Sequence, residues 1–445
     1  MTFITKKTVS ALAAGAALFA AATEAGASSF YLRTGQGAEG VALQFAGAAS
    51  GGIGVPSIRW NPATITMFPG RTSSWNFALV YPQASYNLEH SSLPPALRRP
   101  IGEIGGDWSF IPSSASAWQI TDRLWVGLST AAPWGLRSKA ENFDNAAQIY
   151  GRSSKVRSLN VTPTVGFKVN EWISLGAGLQ IQYFKVDLKQ AFGVPAAAAV
   201  LPGAPNSILR GDDYGLGFNL GINITPWQGT SFGLGYRSTI RHDVAGNVIL
   251  PAAAPPLLTV GRNPIRADVT LPDAVMLGIS HQFTPQLQAH LGLEFSFWSK
   301  LFRVPVRLRS NGIEINSLNF EYRDSVFMAG GVEYAFTPNL SLRAGVSYEL
   351  SAVTDRVRSP RISDNDRLGV SLGVGYKWSE QLSLDASYAH YFIKEAPVNM
   401  VRGNPWWQGV DYVGVAKPSV DVFALGITYR WDAPAVAPAP LIRKN

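Results

Sequence analysis

The side chains able to do chemistry in this sequence are few, and their spacing argues against most of it. Gly369-Val370-Ser371-Leu372-Gly373 has the pattern of a nucleophile elbow, in which a strained strand-to-helix turn exposes the serine. Here it sits inside an alternating run, Leu368, Val370, Leu372, Val374 and Tyr376, with no such turn, so the match is coincidental. The five histidines, His90, His242, His281, His290 and His390, include no His-x-x-x-His pair, and there is no cysteine. That excludes thiolate metal sites and thiol catalysis. No catalytic residue, metal site or cofactor is expected, and the chain is read as a non-enzyme. Its net charge of +8 is scattered along the sequence and suggests no nucleic-acid partner.

The elements around these residues point to a membrane. Lys6 and Lys7 precede an apolar run from Val9 to Ala22, and Ala25-Gly26-Ala27 fits a small-residue cleavage site, so residues 1–27 read as a signal peptide. Its removal takes away Lys6, Lys7 and Glu24 and lowers the net charge from +8 to +7. No later apolar run is long enough for a membrane helix. Yet 46% of residues are hydrophobic and only 15% charged, against about a quarter charged in soluble chains.

Periodicity resolves the contradiction. Ile173, Leu175, Ala177, Leu179, Ile181 and Tyr183 alternate with Ser174, Gly176, Gly178, Gln180 and Gln182. Period two places all the apolar side chains on one face of a strand. Fourteen such segments are expected, beginning near Trp75, Asp107, Arg123, Ser153, Trp172, Asp212, Ser231, Asp268, Leu287, Arg323, Asn339, Arg367, Gln381 and Ser419. Arg303 to Ile315 also alternates and reads as the outer part of a long hairpin, since bacterial barrels have even strand numbers. Turns such as Thr284-Pro285-Gln286 and Thr337-Pro338-Asn339 are short; Gln190 to Gly211 and Val353 to Asp366 are long. This asymmetry, with Tyr and Trp at strand ends, predicts an all-β, fourteen-stranded antiparallel transmembrane barrel over 73–431, with the long loops outside. Closure satisfies every backbone group in lipid. The final strand, ending Phe423, Leu425, Ile427, Tyr429 and Trp431, looks like a signal for the barrel-assembly machinery. Residues 432–445, rich in Ala and Pro, are expected to be disordered.

Residues 28–72 do not alternate. They are Gly- and Ala-rich and contain Trp60-Asn61-Pro62-Ala63-Thr64-Ile65-Thr66-Met67, which suits a plug inside the barrel. At this point the sequence resembles the FadL/TodX-type outer-membrane transporters of long-chain fatty acids and aromatic hydrocarbons. Asn61-Pro62-Ala63 is similar to the family's hatch motif, and Ala132-Pro133-Trp134-Gly135-Leu136 to its third-strand exit. Tyr236-Arg237-Ser238, Leu271-Pro272, Trp298-Ser299 and Arg361-Ile362-Ser363-Asp364-Asn365-Asp366-Arg367 follow in the family's order, with Ser363 where the family usually has Pro.

The resemblance implies an amino-terminal hatch, capture of ligand in an extracellular groove, and lateral exit through the wall near Ala131, Ala132 and Pro133. It implies ligand contacts from Asn61, otherwise a turn-forming residue before Pro, and from a basic residue after the fifth strand, Lys185. A further family lysine falls near Pro305, where Arg303 or Arg307 is the available substitute. Long-chain fatty acids are the expected cargo; monoaromatic hydrocarbon uptake and, further off, a general porin are the alternatives. The chain is expected to act as a monomer in a Gram-negative outer membrane. Basic clusters in the outer loops (Arg98, Arg99; Arg152, Lys155, Arg157; Arg356, Arg358, Arg361) are expected to meet lipopolysaccharide phosphates.

Overall fold

In the computed structural model, residues 36–98, 101–104, 108–141, 145–193, 203–254 and 256–432 are described, with Tyr31, Arg33, Ala199 and Leu201. The expected leader, Arg99 and residues 433–445 lie outside them.

The alternating segments form fourteen antiparallel strands. These are β1 (Arg71–Ser91), β2 (Ile101–Ile104 and Ser109–Gln119), β3 (Leu124–Ala131 and Gly135–Glu141), β4 (Ser153–Lys168) and β5 (Ile173–Ala191). Then come β6 (Asn206–Ile224), β7 (Thr230–Arg237 and Ile240–Leu250), β8 (Gly261–Leu271 and Ala274–Gln282) and β9 (Leu287–Ser296 and Arg303–Leu308). The last are β10 (Glu314–Asn319 and Ser325–Thr337), β11 (Leu340–Glu349), β12 (Arg367–Lys377), β13 (Leu382–Ile393 and Ala396–Met400) and β14 (Tyr412–Arg430). β1 pairs with both β2 and β14, which closes the barrel. Arg303–Leu308 and Glu314–Asn319 pair with each other as the outer hairpin expected from their alternation. Among the described residues no helix is long and apolar enough to cross a membrane; the crossing is made by strands.

The apolar face points outward. On β5, Leu175, Leu179 and Ile181 are exposed, whereas Ser174, Gln180 and Gln182 are buried toward the lumen. Several short turns share one device, a side-chain oxygen accepting from the first backbone N–H of the next strand. Asn170 serves Ile173 at 2.8 Å, Thr284 serves Leu287 at 3.0 Å and Thr337 serves Leu340 at 3.0 Å. Trp172, Trp227 and Trp378 stand exposed beside these turns, as an interfacial belt requires. At the other end several strands run longer than the sequence suggests: β6 begins at Asn206, and the pairing of β5 with β6 continues to Ala191↔Asn206. Ladder hydrogen bonds continue there beyond the point where the lipid-facing alternation ends.

The lumen is filled by an inner segment. It comprises a short helix α1 (Ala38–Ala42) and 3-10 turns at Ala48–Ser50, Val55–Arg59 and Pro62–Met67. Val41, Leu43, Ile53, Ile58 and Ile65 are fully buried. The inward positions it touches are glycines, for a steric reason. A Cβ on Gly221 would lie 1.8 Å from Asn61 Oδ1, and one on Gly233 1.8 Å from the Ala49 carbonyl oxygen. Ion pairs fasten the segment: Arg33 to Glu294 (3.2 Å) and Glu349 (3.3 Å), and Glu39 to Arg343 (3.5 Å).

The ladder between β2 and β3 is interrupted part-way along the wall. β2 and β3 pair from Gln119↔Trp125 up to Ser114↔Thr130. Among the described residues they meet again only at Ile104↔Ala140 and Glu103↔Glu141, in the same register. Between these points each strand is bonded to its other neighbour, Ser109–Ser113 to β1 and Gly135–Lys139 to β4. The result is a window rather than a frayed end. Pro133 sits on its border and has no N–H to offer across it. The hydroxyls of Ser109 and Ser113 are buried there without a hydrogen-bond partner.

Candidate functional site

The alternation changes phase along β4, β5 and β6. On β5 the inward residues run Ser174, Gly176, Gly178, Gln180, Gln182 and then Phe184, Val186, Leu188, while the outward ones turn from Leu179 and Ile181 to Lys185, Asp187 and Lys189. Below the switch the apolar face meets lipid; above it the apolar face meets the lumen. The same switch puts Val156 of β4, Leu209 of β6 and Ile265 of β8 inside. These side chains, with Val304 and Val306 of β9 and Leu318, Phe320 and Tyr322, line an apolar cavity. The phase inversion is readable in Phe184-Lys185-Val186-Asp187-Leu188-Lys189, and reading the whole strand as one apolar face misses it.

Among the described residues a single charged side chain lines this cavity, Arg361. It comes from the connection between β11 and β12, which folds into the barrel mouth, so that Val353, Val357 and Arg358 are buried. The Arg361 guanidinium donates to the Ser154 hydroxyl (2.7 Å), the Ser153 carbonyl (3.2 Å), the Tyr150 carbonyl (2.9 Å) and Gln190 Oε1 (3.5 Å). All four acceptors are uncharged, and among the described residues no carboxylate lies within ion-pair distance of it. Burial with no compensating charge pushes its pKa down to about 10. The cation is therefore held in place but not neutralised.

Arg361 also lines two adjoining cavities. One, of about 1230 Å3, opens outward past Tyr150, Asn316, Trp406 and Trp407. The other, of about 530 Å3, runs past Leu136, Arg137 and Ser138 of β3 and Pro82 to Ala84 of β1. Arg137 faces outward and Leu136 inward, so this third cavity reaches the wall beside the window. On the lumen side a chain of aromatic contacts descends from the outer cavity to the window. It runs Trp406–Phe320 (5.9 Å between centroids), Phe320–Tyr322 (5.3 Å), Tyr322–Trp298 (5.8 Å), Trp298–Trp134 (5.6 Å) and Trp134–Tyr31 (5.0 Å). Tyr31 of the inner segment and Trp134 of the window border also form a β-bridge.

The residues singled out from the sequence are not brought together at this cavity. Lys185 faces outward beside Arg157, on the wall opposite in sense to its neighbours Phe184 and Val186. Arg303 and Arg307 also face outward, paired with Glu314 and with Asp268 (3.3 Å) respectively, while Val304 and Val306 between them line the cavity. Asn61 is buried within the inner segment. It donates to the Ala49 carbonyl (2.7 Å) and the Ile222 carbonyl (2.9 Å), accepts from Ala63 N–H (3.0 Å), and caps the turn begun by Pro62. Its amide thus ties the inner segment to β6. Ala131, Ala132 and Pro133 do stand together at the window border. Of the loop arginines expected to face lipopolysaccharide, Arg358 and Arg361 are turned into the mouth of the barrel, and Arg152 donates to the Ala204 carbonyl at 2.6 Å. Asp432, expected to begin a disordered tail, pairs with Arg71 at 2.7 Å. Among the described residues no cluster of acidic or histidine side chains could hold a metal.

Comparison with known proteins agrees with this architecture. Residues 18–431 match the model of the outer membrane protein transport protein family (OMPP1/FadL/TodX). A long-chain fatty acid transport protein of Escherichia coli O6:H1 is 27% identical over 417 residues, covering 86% of this chain and 91% of its own. Outer membrane protein P1 of Haemophilus influenzae is 25% identical over 84% of this chain and 88% of its own. The crystal structure of a Pseudomonas aeruginosa FadL homologue superposes with a TM-score of 0.81 at 26% identity, covering 91% of this chain and all of that one. The toluene transporter TbuX of Ralstonia pickettii, at 18% identity and a TM-score of 0.63, shares the fold. A plugged fourteen-stranded barrel with an apolar outer cavity, matched over nearly its whole length, places this chain in the FadL/TodX family of outer-membrane transport proteins.

Proposed function

We propose that this outer-membrane transporter of hydrophobic molecules takes up long-chain fatty acids, with the alkyl chain in the apolar cavity and the carboxylate on Arg361. The observation that carries the reading is that, among the described residues, the only charged side chain lining the cavity is a guanidinium without a carboxylate partner. A half-buried cation of this kind is costly unless an anion meets it. A neutral aromatic hydrocarbon would leave it bare; a fatty acid supplies the missing charge and gains about 0.8 kcal/mol for each methylene buried. The three cavities that share Arg361 support a route from the outer mouth, past the guanidinium, to the window between β2 and β3. Exit there delivers an amphiphile sideways into the membrane. The filled lumen argues against a general porin.

The test is binding of palmitate, hexadecanol and toluene to the purified barrel and to Arg361→Met. One charge-assisted hydrogen bond is worth about 1.5–3 kcal/mol, so palmitate should bind Arg361→Met roughly ten- to a hundredfold more weakly. Hexadecanol should be little affected. Equal palmitate affinity in both proteins, or toluene binding tighter than palmitate, would overturn the assignment to fatty acids.

A further inference from the structure

The outer face of β4, β5 and β6 carries charge that the transport route does not use. We propose that this face binds the phosphates of lipopolysaccharide, the anionic glycolipid of the outer leaflet. The proposal is independent of which cargo the lumen carries.

The register builds the site. Lys155 lies opposite Asp187, and Asp187 opposite Arg210; one step toward the membrane, Arg157 lies opposite Lys185 and Lys185 opposite Asp212. Neighbouring strands are about 4.8 Å apart, so these six side chains form a compact grid. Five of them, all but Asp212, line a concavity of about 520 Å3 on the outside of the wall. Four cations face two carboxylates, and both carboxylates are engaged. Asp187 takes Arg210 at 2.7 Å, and Asp212 is hydrogen-bonded by the Tyr183 hydroxyl. Among the described residues neither Lys155 nor Lys185 has a carboxylate within ion-pair distance. Several cations at the outer ends of other strands do: Arg266 with Asp243 (2.8 Å), Lys394 with Asp366 (3.0 Å) and Lys417 with Glu395 (2.9 Å).

What lies beneath the grid selects a lipid over a soluble anion. The next outward row is Leu159, Tyr183 and Tyr214, and the one after it Val161, Ile181 and Leu216. Tyr214 is 73% exposed and Leu216 66%, the most open apolar surface of these strands. A molecule with phosphates at the level of the lysines and several acyl chains hanging from it would cover both rows at once. Lysine and arginine bind such phosphates through charge-assisted hydrogen bonds that water and salt screen less at a membrane interface. The position is also the right one: the grid is at the long-loop end, where the outer leaflet begins.

The experiment is native mass spectrometry of the folded barrel in detergent, titrated with bis-phosphorylated hexa-acyl lipid A. The lipids for comparison are its dephosphorylated form and phosphatidylglycerol. Heat-modifiable migration on gels checks folding of each variant. Lys155→Gln/Lys185→Gln should bind lipid A at least tenfold more weakly than the parent, on the order of one charged hydrogen bond lost. Lys417→Gln, whose cation is already paired on another part of the wall, should bind as the parent does. If the double variant does not fold, each single substitution is read in the same way. Parent-like binding by the Lys155 and Lys185 variants would overturn the proposal. So would equal affinity of the parent for dephosphorylated lipid A or for phosphatidylglycerol.

Discussion

Arg59 of the inner segment donates to the carbonyl of Ser114 at 2.8 Å, on the last rung of the β2–β3 ladder before the window. It reaches the opposite member of that rung as well, the Thr130 carbonyl, at 3.3 Å. One guanidinium thus closes the ladder where the wall opens and couples the window to the contents of the lumen. Arg59→Gln should leave the barrel assembled but loosen this corner, since the charged bonds lost are worth about 1.5–3 kcal/mol each before the desolvation cost of the charge is recovered. Hydrogen exchange at residues 55–67 should quicken, and ion conductance of the reconstituted barrel should rise. Unchanged exchange there would show that Arg59 does not hold the segment.

The β-bridge between Tyr31 and Trp134 gives a second handle on the window. Opposed residues of an antiparallel pair have Cα atoms about 4.5–5.5 Å apart, which a disulfide can span. The chain has no native cysteine. Tyr31→Cys/Trp134→Cys should therefore cross-link cleanly under oxidation. If cargo leaves through the window, oxidised cells should stop taking up labelled fatty acid and resume on reduction. Uptake indifferent to the cross-link would rule out exit by displacement of Tyr31 from Trp134.

Asn61→Ala separates two roles for the hatch asparagine. Its side-chain amide is spent on Ala49, Ile222 and Ala63. Removing it strands buried carbonyls at about 1–3 kcal/mol, so the thermal stability of the inner segment should fall. Affinity for palmitate should hold, because Asn61 does not line the apolar cavity. A loss of affinity without a loss of stability would return Asn61 to the ligand site.

The pH dependence of binding follows from Arg361. Burial lowers its pKa to about 10, so the folded protein binds fewer protons than the unfolded chain between about 10 and the usual arginine range. The cost of burying the charge is present below about pH 10 and is relieved as the pH rises through it. An anionic ligand reverses the sign, since it favours the charged form. Palmitate affinity should thus be steady from neutral pH to about 9 and fall above about 10. It should also fall in acid as the carboxyl protonates, near the 4.3 of a glutamate side chain in water. Isothermal titration with palmitate across this range checks both limbs, and hexadecanol should show neither.

The wall is legible in the residues alone. Alternation such as Ile173 to Tyr183 needs only the two-residue period of a strand to sort its side chains, and short turns such as Thr284-Pro285-Gln286 fix which strands are neighbours. Even the side of the wall on which Lys185 lies follows from its parity with Ile181. The site was less legible. Phe184, Val186 and Leu188 reverse the polarity of their own strand, because above the membrane the lumen, not the lipid, is the apolar surroundings. Arg361 belongs to an irregular connection in which no period says where a side chain points. Only the folding of that connection into the mouth, against Ser153, Ser154 and Tyr150, turns it from a surface charge into a charge lining the cavity. The window likewise depends on which carbonyl meets which N–H across two strands. Pro133 marks a donor missing from the ladder, but the length of the opening is set by pairings that exist only in three dimensions.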